Sequence, residues 1–207
     1  MKIALDAMGG DNAPKVEVEG AVEAAKEFGI EVILVGDKEN ISAELSNHKT
    51  KGLPIHIEHA SEVINMHDHP TDAYKQKKDS SLLVAIRLVK EGKADAIISA
   101  GNTGAVMTAA LFELGRIKGV ARPAIAGIFP SEQGKTLVLD IGANADCKPK
   151  HLQQFAIMGS IYSKYILGVE KPRVALLSMG EEDTKGNDLI IESAKLIKKT
   201  SVNFIGN

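Results

Sequence analysis

Short apolar runs alternate with segments of helical period through almost the whole sequence, and few architectures accept that pattern. Residues 2–6, 31–35, 54–58, 94–98, 123–129, 136–141, 173–177 and 202–205 read as strands. The run 54–58 alternates as an edge strand does, whereas 123–129 and 136–141 read as buried ones. Between them lie helical segments at 14–28, 39–46, from 79 or 80 to 91, 106–112, 152–167 and 187–199. Val18, Val22 and Ala25 share one face of the first helix, and Gly29 stops it. Leu82, Leu83, Ile86 and Val89 form a similar stripe, closed by Gly92. His67-Asp68-His69-Pro70 reads as a loop. Strands separated by helices of this length predict an α/β fold, with a mostly parallel sheet covered by helices on both faces. At 207 residues the chain suits one substantial domain, read as 1–207. The last strand reads as interior, so sequence belonging to the same fold is expected beyond residue 207.

In such folds ligands bind outside the carboxyl ends of the strands. Four polar or glycine-rich segments stand there: Asp6-Ala7-Met8-Gly9-Gly10-Asp11, Ser99-Ala100-Gly101-Asn102-Thr103-Gly104-Ala105, Asp140-Ile141-Gly142-Ala143-Asn144 and Ser178-Met179-Gly180-Glu181-Glu182. Four such exits can converge on one site. The 99–105 turn carries the most chemistry. Gly101 and Gly104 let backbone N–H groups approach a ligand, and a helix N-terminus follows. Asn102 and Thr103 add side-chain donors. The plain alternative is a capped helix, with Asn102 or Thr103 as N-cap.

Several function classes are excluded. Gly134-Lys135-Thr136 imitates the tail of a nucleotide-binding loop, but Phe129 stands where the first glycine belongs and a strand follows. The dinucleotide fingerprint G-x-G-x-x-G is not matched at 99–105. A net charge of −2, no tryptophan and few aromatics leave no surface for nucleic acid. The pairs His56/His59 and His67/His69 lack firm zinc spacing, so no metal is expected. Cys147 is the sole cysteine, which fits a reducing cytosol; Asp146 beside it raises its pKa rather than activating it. No apolar run reaches the ~18 residues of a membrane span, and 1–6 is no signal peptide. The chain reads as cytoplasmic.

Basic residues concentrate in two places. Arg116, Lys118 and Arg122 follow the helix that the key turn opens, and Lys75, Lys77 and Lys78 precede Ser80-Ser81. Each cluster is either a solvated face or a means of neutralising phosphate or docking an acidic partner.

Seven segments, taken in order, resemble the PlsX family, the phosphate acyltransferases of bacterial phospholipid synthesis. They are Asp6–Asp11 in the first exit, Lys78-Asp79-Ser80-Ser81, the 99–105 turn, Gly119-Val120-Ala121-Arg122-Pro123-Ala124, Leu139-Asp140-Ile141-Gly142-Ala143-Asn144-Ala145-Asp146, Gln154-Phe155-Ala156-Ile157-Met158-Gly159-Ser160 and Gly180-Glu181-Glu182-Asp183-Thr184-Lys185-Gly186. The resemblance implies conversion of acyl-acyl carrier protein and inorganic phosphate to acyl phosphate and free carrier protein. It implies a homodimer with a fold similar to isocitrate and isopropylmalate dehydrogenases, and no cofactor. Family members are longer. Residues 1–207 correspond to their N-terminal two-thirds, and the segment associated with peripheral membrane contact lies outside this chain.

Acyl transfer to phosphate needs no activated side-chain nucleophile, because phosphate is already anionic. It needs an anion held beside a thioester carbonyl and donors for the oxyanion; one such donor is worth about 2.7–4 kcal/mol. On the resemblance, Asn102, Thr103, Lys78 and Arg122 are the expected catalytic set. Gly9, Gly10, Ser80, Ser81, Gly101, Gly104, Asn144 and Lys185 are expected to bind phosphate or acyl substrate. Asp6, Asp11, Asp140 and Glu181 are expected to orient donors or hold cations in place. A phosphotransacetylase-like enzyme using acyl-coenzyme A is the alternative. A dehydrogenase would require a metal-binding carboxylate set and a nucleotide site that the sequence does not assemble. A non-catalytic fragment keeping a dimer or carrier-protein surface is the remaining class.

Overall fold

The structure, a computed structural model, describes every residue except Gln133 and Asp183. Two compact units divide the chain, Met1–Gly115 and Arg116–Asn207.

The first unit is built on four parallel strands: β1 (Lys2–Asp6), β2 (Glu31–Gly36), β3 (Ile55–His59) and β4 (Ala96–Ser99), in the order β3-β2-β1-β4. Helices α1 (Lys15–Phe28), α2 (Lys38–Leu45), α3 (Pro70–Gln76), α4 (Ser81–Lys90) and α5 (Thr103–Glu113) connect and cover them. Strand periodicity assigns the faces. Val32 and Leu34 of β2 pack with Val18 and Ala21 of α1 and Ile41 of α2. Ile33 and Val35 point the other way, to Val84, Ala85 and Leu88 of α4. A third cluster joins α3, α4 and α5 through Ala73, Leu83, Ile86, Ala105 and Ala109. Gly29 ends α1 in the left-handed region at φ 62°, its N–H on the Ala25 carbonyl. Helix α3 begins at Pro70, the last residue of the 67–70 loop, and occupies a stretch in which the sequence reads no helix. Pro70 occupies its first turn, where a missing N–H costs nothing.

The second unit contains β5 (Ala126–Ser131), β6 (Gly134–Leu139), α6 (Pro149–Tyr165), β7 (Val174–Ala175), α7 (Asp188–Ile197) and β8 (Phe204–Gly206). Here one expectation is corrected. Strands β5 and β6 form an antiparallel hairpin, and most of their residues are not buried. The reason lies in the connection. Parallel neighbours need a crossover of a dozen residues or more, and the loop between Ser131 and Gly134 allows only a direct return. Leu137 and Leu139 do face protein, lying against Gly159 of α6. Strands β7 and β8 pair in parallel. The fold is α/β with a mostly parallel sheet.

Leu34 is fully buried in a central strand between two helical layers. Leu34→Ala should lower stability by about 2–5 kcal/mol, read as an earlier urea midpoint with an unchanged slope.

Candidate functional site

Parallel pairing places Asp6, the last residue of β1, opposite Ser99, the last of β4. The exits of these strands are therefore neighbours. Asp6 is 2% exposed, and its carboxylate accepts the Ser99 hydroxyl at 2.7 Å and the Met8 N–H at 3.3 Å. Ser99 Oγ in turn accepts the Gly101 N–H at 3.1 Å. The loops touch backbone to backbone: a Cβ on Gly101 would lie 2.8 Å from the Gly9 carbonyl oxygen. Gly10 faces a different neighbour, since a Cβ there would press on the Glu17 carboxylate and require that side chain to shift. Glu17 is buried in the first turn of α1, with Oε2 unpaired among the described residues. No motif pointed to Glu17, and Ser99, though it heads the 99–105 turn, was given no role of its own; the register of β1 with β4 and the seat of α1 bring them here. Asp11 is exposed on the same loop.

Asn102 is the N-cap of α5. Its Oδ1 accepts the Ala105 N–H at 3.0 Å. Its Nδ2 donates to the carbonyls of Met66 and Asp68, each at 3.0 Å, and more weakly to Asn65. One side chain thus caps the helix and ties down the 65–68 loop. Lys77 reinforces that loop through Val63 O at 2.8 Å and the Asp68 carboxylate. The Asp68 carboxyl is held below its ordinary range, first by the Lys77 ammonium and then by the Asn65 N–H. With the cap on Ala105, the N–H groups of Thr103 and Gly104 remain at the open helix end, where both residues are exposed. These donors, with the Thr103 hydroxyl, are the anion-binding geometry the turn offers.

Two groups of expected residues are placed elsewhere. The Lys78 ammonium lies 3.9 Å from the Tyr74 ring centroid, and that ring stacks on Phe112. Thr103 and Phe112 are about 13 Å apart along α5, so within this unit Lys78 stands near the opposite end of the helix from Asn102. Ser80 and Ser81 are 0% and 1% exposed. They are enclosed at the start of α4, tied to Glu62 through the Ser81 N–H, and are not available to a ligand in this conformation. A helix-start motif looks the same in sequence whether its serines face solvent or core.

In the second unit Asp140 organises the exit of β6. It accepts the Ile125 N–H and the Asn144 N–H, both at 2.7 Å. Burial is the largest influence and opposes ionisation. The N–H groups of Ile125, Asn144 and Ala143 together outweigh it and hold the carboxyl below its ordinary value of 3.8. Asn144 Nδ2 donates to the Pro123 carbonyl at 2.9 Å, and its Oδ1 takes the exposed Arg122 guanidinium at 3.4 Å. Arg122 also reaches the Asp146 carbonyl at 3.3 Å. His151 enters this neighbourhood unannounced by any motif. It is buried at the start of α6, its Nδ1 accepting the Lys148 N–H at 3.2 Å. Burial, then the charges of Arg122 and Lys148, depress its pKa. The Cys147 thiol is pushed up, first by burial and then by Asp140, with Arg122 opposing. Glu181 and Lys185 are exposed in the β7–α7 connection, and Asp183 between them lies outside the described residues.

A family model described as fatty acid synthesis protein matches residues 1–207. The chain belongs to that family. Relatives of the chain include the phosphate acyltransferases of Geobacter sulfurreducens and Geotalea daltonii, 59% and 58% identical over 206 residues. Each match covers 100% of this chain and 60% of the relative. The phosphate acyltransferase of Desulforamulus reducens is 54% identical over 207 residues, 62% of its length. This chain thus spans about 60% of the length of the curated relatives it matches. Among solved structures, a phosphotransacetylase from Streptococcus pyogenes superposes with a TM-score of 0.73 at 19% identity, over 100% of this chain and 68% of that one. A 4-hydroxythreonine-4-phosphate dehydrogenase from Burkholderia phymatum gives 0.53 at 15% identity, over 99% and 73%. At such identities the likeness concerns the fold alone, and it accords with a dehydrogenase-like α/β architecture.

In this family member, Asn102→Ala should cost about 1–2 kcal/mol by loss of the cap. Asn102→Asp keeps an acceptor for Ala105 but sets a carboxylate against two carbonyls, so amide exchange should quicken across 65–68. Asp140→Asn should cost on the order of 2 kcal/mol at pH 7. A depressed folded pKa means that the stabilisation by Asp140 is complete above the ordinary carboxylate range and fades as pH falls through the folded value. The gap between wild type and Asp140→Asn in thermal melts should therefore hold from pH 7 to 5 and narrow below 3.8, the ordinary value.

Proposed function

We propose that this chain is the N-terminal part, one α/β domain over 1–207, of an enzyme that transfers an acyl group from acyl carrier protein to inorganic phosphate. The products are acyl phosphate and free carrier protein, for phospholipid synthesis. The observation that carries the reading is identity of 54–59% to proteins named phosphate acyltransferase, across the whole chain. The open N–H groups of Thr103 and Gly104 support it, because the reaction must hold an anion without a covalent side-chain intermediate.

In this reading the phosphate oxygen attacks the thioester carbonyl carbon. The carbon–sulfur bond then breaks, and the carrier-protein thiolate takes up a proton. Thr103 and Gly104 supply donors to phosphate or to the oxyanion, while Gly101, its N–H taken by Ser99, lets the Gly9 loop approach. Asn102 positions them through the cap and the 65–68 loop. Arg122 and Lys185 offset phosphate charge, with Asn144 orienting Arg122; Lys78, held over the Tyr74 ring toward the far end of α5, does not reach the Thr103 donors in this conformation. Gly9 and Gly10 keep the neighbouring loop close. Asp6, Asp11, Asp140 and Glu181 orient donors or hold cations in place. The reaction as written uses no cofactor and no metal. The protein works as a homodimer in the cytoplasm, docks an acidic carrier protein on basic residues, and meets the membrane peripherally through a segment outside this chain. No helix among the described residues is long and apolar enough to cross a membrane.

A second reading, acyl-coenzyme A as donor, is consistent with the phosphotransacetylase likeness in fold, which does not favour it over the first. Trapping acyl phosphate as hydroxamate tests both. A long-chain acyl-acyl carrier protein with phosphate should yield hydroxamate with a higher kcat/KM than the same acyl-coenzyme A; the reverse order would select the second reading. Arg122→Ala should lower kcat/KM at least tenfold, about 1.4 kcal/mol. Unchanged turnover in the folded variant would remove Arg122 from the reacting centre.

A further inference from the structure

A concavity of the second unit lies beside α6. It is a groove of about 1090 Å³, lined by β6, by β7 with its continuation, and by α6. Both strands pack on α6, yet among the described residues no ladder joins them. Among the described residues, β6 pairs with β5 alone and β7 with β8 alone.

The backbone on each side of the groove is turned outward. Pro130 has no N–H and stands opposite Lys135, which fits a non-hydrogen-bonded pair in the β5–β6 ladder. Alternation then directs the N–H and C=O groups of Lys135, Leu137 and Leu139 away from β5. On the other side, the N–H groups of Val174 and Leu176 bond Asn203 and Gly206. The alternation turns those of Ala175 and Leu177 away from β8. All five outward-turned residues line the groove. Its floor is apolar, with Phe155, Ala156 and Gly159 of α6. Leu177 is 92% exposed and Met179 86%.

We propose that this groove is a strand slot. Its occupant is an extended segment with apolar residues at alternate positions, supplied by the part of the longer family protein outside residues 1–207. The inference rests on family membership and not on the catalytic reading. Two unpaired strand edges at one groove call for a partner that donates and accepts at 3.3–3.4 Å intervals, roughly the strand repeat. A fatty acyl chain fills apolar volume but leaves every edge amide unpaired. The length argues the same way, since the relatives carry about two fifths of their sequence outside the match.

The test is residue-resolved amide exchange on the isotopically labelled 207-residue chain. The probe is the remaining portion of the Geobacter sulfurreducens relative, added as a separate polypeptide and, in a second preparation, fused in the order in which it occurs there. Exchange at Lys135, Leu137, Leu139, Ala175 and Leu177 should slow at least tenfold in one preparation or both. Failure of these five amides to slow in either overturns the proposal. Slowing in the chain alone that grows with its concentration assigns the groove to a second copy, and slowing on addition of palmitate alone assigns it to an acyl chain; either result overturns it too.

Discussion

The hydrogen bond from Ser99 Oγ to the buried Asp6 carboxylate closes the end of the β1–β4 ladder. A carboxylate removed from water must be compensated, and here the compensation comes from groups on two separate loops. The Met8 N–H belongs to the β1 exit, and Ser99, through its bond with the Gly101 N–H, belongs to the β4 exit. One acidic group thereby sets the relative position of both loops. The loops approach so closely that neither Gly9 nor Gly101 has room for a side chain. Where α5 begins, and where its first N–H groups open, follow from that contact.

Asp140 does comparable work in the second unit. It too follows a strand, and its charge is absorbed by backbone N–H groups from two segments, Ile125 before β5 and Asn144 after β6. An uncompensated carboxylate would repel phosphate. A carboxylate saturated with N–H donors stiffens loops that carry other donors, such as the Arg122–Asn144 pair. The recurrence of acids at strand exits is therefore compatible with anion chemistry in the same protein.

Legibility in the sequence followed the range of the physics involved. Helix α1 and its Gly29 stop, β1, and β3 as an edge strand depend on local periodicity and backbone preference, and were readable. The antiparallel return of β6 depends on the span of one connection, which periodicity does not report. Ser80 and Ser81 carried a polar signature yet lie in the interior, because their depth is decided by how α4 seats against the sheet. Asn102 stood out for its place between two glycines. That its amide would hold Met66 and Asp68 depended on a loop 34–36 residues away.

By itself, the sequence determined the alternation of strands and helices, the parallel sheet that alternation demands, and the family that seven ordered segments share. These are properties of spacing and residue type, which survive without coordinates. Only the tertiary structure decided that Asp6 meets Ser99, that Lys78 lies along α5 from Asn102, and that Asp140 gathers Ile125 and Asn144. Such contacts join residues far apart in sequence, through strand register and helix seating, and no local preference encodes them.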